Sequence, residues 1–221
     1  MRIPSMSSTH SSSLDSFESR DYAAVRRLIV ERAGRNWCLF LDRDGVINKQ
    51  IVGDYVRQWS NFEWLPSARR GLNVLRKWAP HLVVVTNQQG VGKGLMSTDD
   101  LEFIHANLRA ELATDGVVID SVRACPHLEL ARCGCRKPRP GLVLGWLDEH
   151  PDVDHSLSIV IGDSRSDIEL AHQVAQTTGE CASIRIGEHT DSKRVADARF
   201  NSLWDFASAV ESIRAEGGPD P

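Results

Sequence analysis

The sequence predicts an α/β fold, a mostly parallel sheet with helices on both faces. Two observations carry this. Short apolar runs alternate with segments of helical periodicity, the pattern of β-α units. The runs are apolar almost throughout rather than every second residue, as strands buried on both faces are. Trp37–Leu41 (WCLFL) is the first expected strand. Pro66 and Ser67 open a helix with Leu72, Val74, Leu75 and Trp78 as its apolar positions. Leu82–Val85 is the second strand, β-branched after the leucine. Ser97 reads as an N-cap with Asp99 and Asp100 in the first turn, opening a helix through Leu101, Ile104, Leu108 and Leu112. Ser121–Ala124 is a third strand and Gly141–His150 a helix. Leu157–Ile161 is the fourth strand, followed by a helix from Ser166 to Gln176. Ala182–Ile186 is the fifth strand, and Ser202–Arg214 the last helix.

Three segments are expected along the chain: an N-terminal extension, 1–34, a single folded domain, 35–215, and a flexible tail, 216–221. The first twenty residues are rich in Ser and charge and are expected to be disordered, because they offer too little apolar surface to offset ordering. Ala23–Arg32 has Val25, Leu28 and Ile29 at helical spacing.

Composition narrows the function. The 221 residues are 41% hydrophobic and 25% charged, as in ordinary globular proteins. A net charge of −4 lacks the positive field of a nucleic-acid binder. No apolar run approaches the roughly 20 residues of a membrane span, and no signal peptide is recognisable. Five cysteines in a chain without a secretory signal argue against a disulfide framework. The expectation is a cytoplasmic monomer, with no nucleic-acid or membrane partner.

Ligands of α/β sheets sit beyond the carboxyl ends of the strands. There this sequence places Asp42-Arg43-Asp44-Gly45 after the first strand, Thr86-Asn87-Gln88 after the second and Gly162-Asp163 with Asp167 after the fourth. Arg136-Lys137 precedes the Gly141 helix. Taken singly, each is more often bland: a polar turn, a strand-end hydroxyl, a helix start or a solvated lysine. Their coincidence at one sheet edge is what points to chemistry. Three carboxylates together call for a cation, and Mg²⁺ takes a few carboxylates, waters and phosphate oxygens. Asp42, Asp163 and the Asp44 carbonyl are the expected ligands. Asp42 can act as a covalent nucleophile toward phosphorus. Asp44, two residues on, reaches the same face, and a neighbouring carboxylate should raise its pKa for general acid/base work. Thr86, Lys137 and backbone N–H groups can stabilise the phosphoryl oxygens.

Cys125-Pro126-His127 and Cys133-Gly134-Cys135 form a second constellation, four ligands suited to tetrahedral Zn²⁺. With no carboxylate in the set it reads as structural, shaping a long loop and aiming Arg136 and Lys137. Cys38 and Cys181 read as small apolar core residues.

Together, Asp42-x-Asp44-Gly45, Thr86, Lys137 and Gly162-Asp163-x-x-x-Asp167 resemble all four motifs of the haloacid dehalogenase-like (HAD) phosphohydrolases, across residues 36 to about 200. The resemblance implies a Rossmann-like three-layer sandwich, a phosphoaspartyl intermediate on Asp42, acid/base work by Asp44, catalytic Mg²⁺ and support from Asp167. The intervals between motifs are filled by expected elements and leave no room for a cap domain. Specificity then falls to the loops Lys49–Trp59, Gln88–Lys93 and Leu128–Arg136, with Arg43, Tyr55, Asn87, Gln88 and Arg136 as expected substrate-binding residues. The phrases DRDGVIN, TNQQGVGKG and CPH…CGCRKPRPG resemble the zinc-loop branch containing heptose 1,7-bisphosphate 7-phosphatases and histidinol-phosphatases. Gly53–Val56 and Asn61–Glu63 are similar to the heptose enzymes, whereas Lys93 stands where that branch commonly has Arg. The resemblance implies a sugar-phosphate substrate, with histidinol phosphate as the alternative. A non-catalytic zinc-loop module would be expected to have a damaged motif, and none is damaged.

Overall fold

The computed structural model of the chain describes residues 11–187 and 195–217. In chain order the elements are α1 (Ser11–Arg32), β1 (Cys38–Leu41), α2 (Ala68–Arg76), β2 (His81–Asn87), α3 (Gln89–Gly92), α4 (Thr98–Thr114), β3 (Ser121–Cys125), α5 (Gly141–Asp148), β4 (Ile159–Gly162), α6 (Arg165–Thr178), β5 (Ala182–Ile186), β6 (Ala198–Phe200) and α7 (Leu203–Ala215). The strands form one sheet in the order β3-β2-β1-β4-β5-β6, with every pairing parallel.

Burial on both faces explains the continuous apolar strands. Leu39 and Leu41 of β1 face a core shared with α1, α2, α7 and Leu108 and Leu112 of α4. Cys38 and Phe40 face the opposite core, built on α5 and α6 around Trp146, Leu147, Leu170 and Val174. This is a three-layer sandwich. A third, small core of Val56, Met96, Leu101 and Ile104 anchors the long loop after β1 to α4. At Ser97 the expected N-cap forms a reciprocal capping box with Asp100.

Strand order reverses beside β1: β2 and β3 lie on one side, β4 to β6 on the other. The crevice at such a switch point is where an open α/β sheet binds ligands. Asp42 and Asp163 follow the two strands that flank it.

Several elements differ from expectation. The helix expected at Ala23–Arg32 begins at Ser11. Within it Val25, Leu28 and Ile29 are buried, and Arg32, itself buried, donates to the Leu157 and Leu28 carbonyls. The second half of the extension, where a helix was expected, is thus part of the packed molecule. Asp21 accepts from the Arg199 N–H at 3.2 Å, so α1 covers the β6 edge. β6 itself was not expected: its three residues alternate with charge and give no apolar run. Leu157 lies in a 3₁₀ turn, and the fourth strand starts at Ile159. Residues 1–10 and 218–221, with most of the expected tail, lie outside the described residues.

Candidate active site

β1 delivers Asp42 while still in the sheet, since its N–H donates to the Ile161 carbonyl at 2.9 Å. The chain then folds tightly back: the Arg43 carbonyl accepts from Ile47 and Asn48, and Gly45 adopts φ +84°. Glycine is required there twice over. Its φ is left-handed, and a Cβ would lie 2.1 Å from the Asp163 carboxylate. Gly162 meets the second of these needs on β4, where a Cβ would lie 2.2 Å from Cγ of Asp167. The glycines of both motifs are therefore what allow the acids to converge.

Carboxylate oxygens of Asp42, Asp163 and Asp167 lie within 4.8 Å of one another. Lys137 is buried between two of them, its Nζ 2.8 Å from Asp42 Oδ1 and 2.7 Å from Asp167 Oδ1, and it donates to the Val85 carbonyl at 3.0 Å. Asp167 also accepts from the Ser164 N–H, so it caps α6 while anchoring the lysine. Burial pushes Asp42 up to about 7, with Asp167 and Asp44 adding to it and Lys137 opposing. Burial and the Asp167 charge push Asp163 up to about 6. Burial lowers Lys137, but Asp167 and Asp42 more than offset this and leave it well above the ordinary lysine value. One lysine among three acids, two buried and Asp163 half-buried, leaves negative charge uncompensated. Asp42 and Asp163 thus fit a divalent cation such as Mg²⁺. The Asp44 carboxylate is not among the clustered ligand atoms, so its part in that set would be through its main-chain carbonyl.

Asp44 departs from expectation. Burial raises it, but the Arg43 guanidinium and hydrogen bonds from Asn48, Arg43 and Gln88 outweigh burial and hold it below the ordinary carboxylate value. The contacts are short: Asn48 Nδ2 at 2.8 Å, Gln88 Nε2 at 2.8 Å and Arg43 Nη2 at 3.0 Å. The raised acids of the site are Asp42 and Asp163, not Asp44.

A cavity of about 220 Å³ opens on these groups, lined in part by Asp42, Asp44, Thr86, Asn87, Lys137 and Asp163. Tyr55 also lines it, with its ring against Gly90 and Lys93 Nζ 5.2 Å from the ring centroid. Of the other expected substrate contacts, Asn87 lines the cavity too, whereas Arg43, Gln88 and Arg136 do not. Arg43 is fully buried and spent on Asp44 and His105, so its side chain cannot meet substrate. Gln88 is fully buried, donating to Asp44 and to Thr86 Oγ1. The Asn87 amide is held by the Lys137 backbone, accepting from its N–H and donating to its carbonyl. Arg136 is not among the lining residues; its Nη1 is buried without a partner. Gln50, Ile51, Asp54, Ser164 and Ser166 line the cavity and were not singled out, although the first three lie in a loop marked for specificity.

Beyond β3, the sulfurs of Cys125, Cys133 and Cys135 and Nδ1 of His127 form a second cluster within 4.8 Å. Sulfur separations are 3.6, 3.2 and 3.4 Å, close to the edge of about 3.8 Å that a tetrahedron of zinc–sulfur bonds requires. No disulfide joins them. Burial opposes ionisation of all three thiols; hydrogen bonds from Cys135 and the Arg136 N–H hold Cys133 down at about 6, whereas Cys125 is raised and Cys135 is pushed up to about 12. The donor set fits zinc.

The parallel sheet, the paired strand-end acids and the buried lysine define a phosphoryl-transferring hydrolase of the HAD superfamily. The comparisons agree. Over 191 residues the chain is 63% identical to a D-glycero-α-D-manno-heptose-1,7-bisphosphate 7-phosphatase of Mycobacterium tuberculosis, covering 86% of this chain and all of that one. It is 34% identical to the D-glycero-β-D-manno-heptose-1,7-bisphosphate 7-phosphatase of Escherichia coli K12 over 182 residues, 78% of this chain and 93% of the relative. A crystal structure of the D,D-heptose 1,7-bisphosphate phosphatase of B. bronchiseptica, complexed with magnesium and phosphate, superposes with a TM-score of 0.70 at 28% identity, covering 81% of this chain and 99% of that one. No family model matches the chain. The chain belongs to the heptose-1,7-bisphosphate 7-phosphatase family and is a phosphoric monoester hydrolase. Among the described residues no helix is long and apolar enough to cross a membrane.

Proposed function

We propose that the protein removes the 7-phosphate of D-glycero-α-D-manno-heptose 1,7-bisphosphate through a phosphoaspartyl intermediate on Asp42. The observation that carries this is Asp42 placed beside Asp163 and Lys137 at the switch point of the sheet. The α anomer follows the 63% relative rather than the more distant β-named one.

Asp42 Oδ1 is held by Lys137 and by the Arg43 N–H at 2.7 Å, which leaves Oδ2 to attack phosphorus. As the bond from phosphorus to the sugar oxygen breaks, Asp44 donates a proton to that oxygen. Because the free site keeps Asp44 ionised, this proton arrives with the substrate's phosphate monoanion. Asp44 then takes a proton from water, the water oxygen attacks the acyl phosphate, and Asp42 is released with inorganic phosphate. Lys137 and Thr86 meet the equatorial oxygens. Asp42, Asp163 and the Asp44 carbonyl would hold Mg²⁺, which would supply neutralisation of phosphoryl charge. Asp167 supports Lys137. Zinc held by Cys125, His127, Cys133 and Cys135 would fix the loop leading to Arg136, a half-buried guanidinium outside the cavity lining that would pair with the second phosphate where the substrate extends past this loop. Tyr55 and Asn87 flank the sugar. The free thiols suit a reducing compartment such as the cytoplasm.

Phosphate release from both heptose bisphosphate anomers and from histidinol phosphate, with Mg²⁺, tests the reading. The α anomer should have the highest kcat/KM; preference for histidinol phosphate would overturn the substrate assignment.

A further inference from the structure

We propose that His105, on α4, is a positioning residue for the acid/base carboxylate, acting through the buried guanidinium of Arg43. The inference deepens the phosphatase reading above and rests on it.

Arg43 is a cation with no exposed surface, a costly placement unless every charge is met. Its Nη2 bridges both oxygens of Asp44, at 3.1 and 3.0 Å. Its Nη1 lies 3.3 Å from Nε2 of His105, which is only 2% exposed. Arginine has no acceptor, so Nε2 must accept and the ring proton must sit on Nδ1. A neutral ring is what this contact needs, and burial with the charges of Arg43 and Arg109 pushes His105 down to about 3. Nε of Arg43 has no partner, so Asp44 and His105 are the side chains that orient the guanidinium.

The two contacts lie on the two terminal nitrogens of one planar group. Fixing Nη1 on α4 therefore fixes the plane in which Nη2 presents itself to Asp44. α4 is a long helix with a boxed N-terminus, and Leu101, Ile104 and Leu108 beside His105 are buried. Asp44, on an irregular loop, thereby borrows the rigidity of a packed helix. Catalytic groups held loosely lose rate steeply.

The test separates positioning from general damage by leaving-group chemistry. A sugar alkoxide needs the proton from Asp44; the p-nitrophenolate of p-nitrophenyl phosphate does not. His105→Leu should lower kcat/KM for the heptose bisphosphate on the order of tenfold or more, within the range general acid catalysis supplies, and that for p-nitrophenyl phosphate by less than about threefold. His105→Gln, whose amide oxygen can accept from Arg43, should restore the sugar phosphate rate to within about threefold of wild type. Arg43→Lys keeps the buried charge but cannot span both partners; it should show the same split and carries the test should His105→Leu fail to fold. Wild-type rates alone judge the phosphatase reading, and variant-to-wild-type ratios judge this inference. Equal losses on both substrates, or a Gln variant no better than the Leu variant, would overturn it.

Discussion

Replacing Lys137 by Met keeps the side chain's length and removes its charge. The wild-type Nζ meets Asp42, Asp167 and the Val85 carbonyl within 3.0 Å, and the side chain is 2% exposed. Without it, Asp167, at 1% exposure, faces Asp42 with no counter-charge. Breaking a buried pair by removing one partner destabilises by about 3–5 kcal/mol. Asp42, which burial already raises, can escape by taking a proton, at about 1.4 kcal/mol per pH unit above an ordinary pKa of about 4. Near pH 8 that escape would itself require more than about 5 kcal/mol, so the full penalty stands. Near pH 5 it needs only about 1.5 kcal/mol, and the penalty should shrink to about 1–3 kcal/mol. The sign follows from linkage: a carboxyl group with a raised folded-state pKa binds protons more tightly in the native state. It contributes stability at low pH that is lost as pH rises through that pKa. Urea unfolding of wild type and Lys137→Met, in buffer without Mg²⁺, measures the difference across this range. A penalty below about 1 kcal/mol, or one that does not change between these pH values, would refute the lysine's role as the charge partner of both acids.

Other consequences are local. Gly45→Ala would drive a Cβ into the Asp163 carboxylate, and turnover should fall on the order of a hundredfold, as measured by phosphate release. Purified protein should contain about one zinc per chain by metal analysis; Cys133→Ser should lower that content and reduce unfolding stability by more than about 2 kcal/mol. Arg136→Ala should raise KM for the bisphosphate while leaving a monophosphate such as histidinol phosphate little affected, a loss of about 1.5–3 kcal/mol for one charge-assisted contact.

The sequence makes the scaffold legible where burial on both sheet faces leaves near-continuous apolar runs, as in Trp37–Leu41 and Leu82–Val85. Convergence of Asp42, Thr86 and Asp163 is legible because strand order puts their strand ends along one edge. Other features depend on contacts that spacing cannot carry. β6 is stabilised by Asp21 and Ser183 contacts with its flanks rather than by its own apolar pattern. α1 continues into a Ser-rich stretch whose composition favours disorder. Arg43 and Gln88 look like polar loop residues available to substrate, and only packing shows them turned inward onto Asp44. That inward turn also reverses the expected direction for Asp44, because the Arg43 charge and the donors of Asn48, Arg43 and Gln88 outweigh burial.

The most direct measurement concerns Asp42 itself. Wild-type protein mixed rapidly with the α-heptose bisphosphate and Mg²⁺, then quenched in acid within one turnover, should yield a single phosphorylated peptide. Mass spectrometry should place the phosphoryl group on Asp42, and Asp42→Asn should give neither the adduct nor phosphate release. Steady phosphate release from Asp42→Asn, or a phosphoryl group on any other residue, would contradict the account.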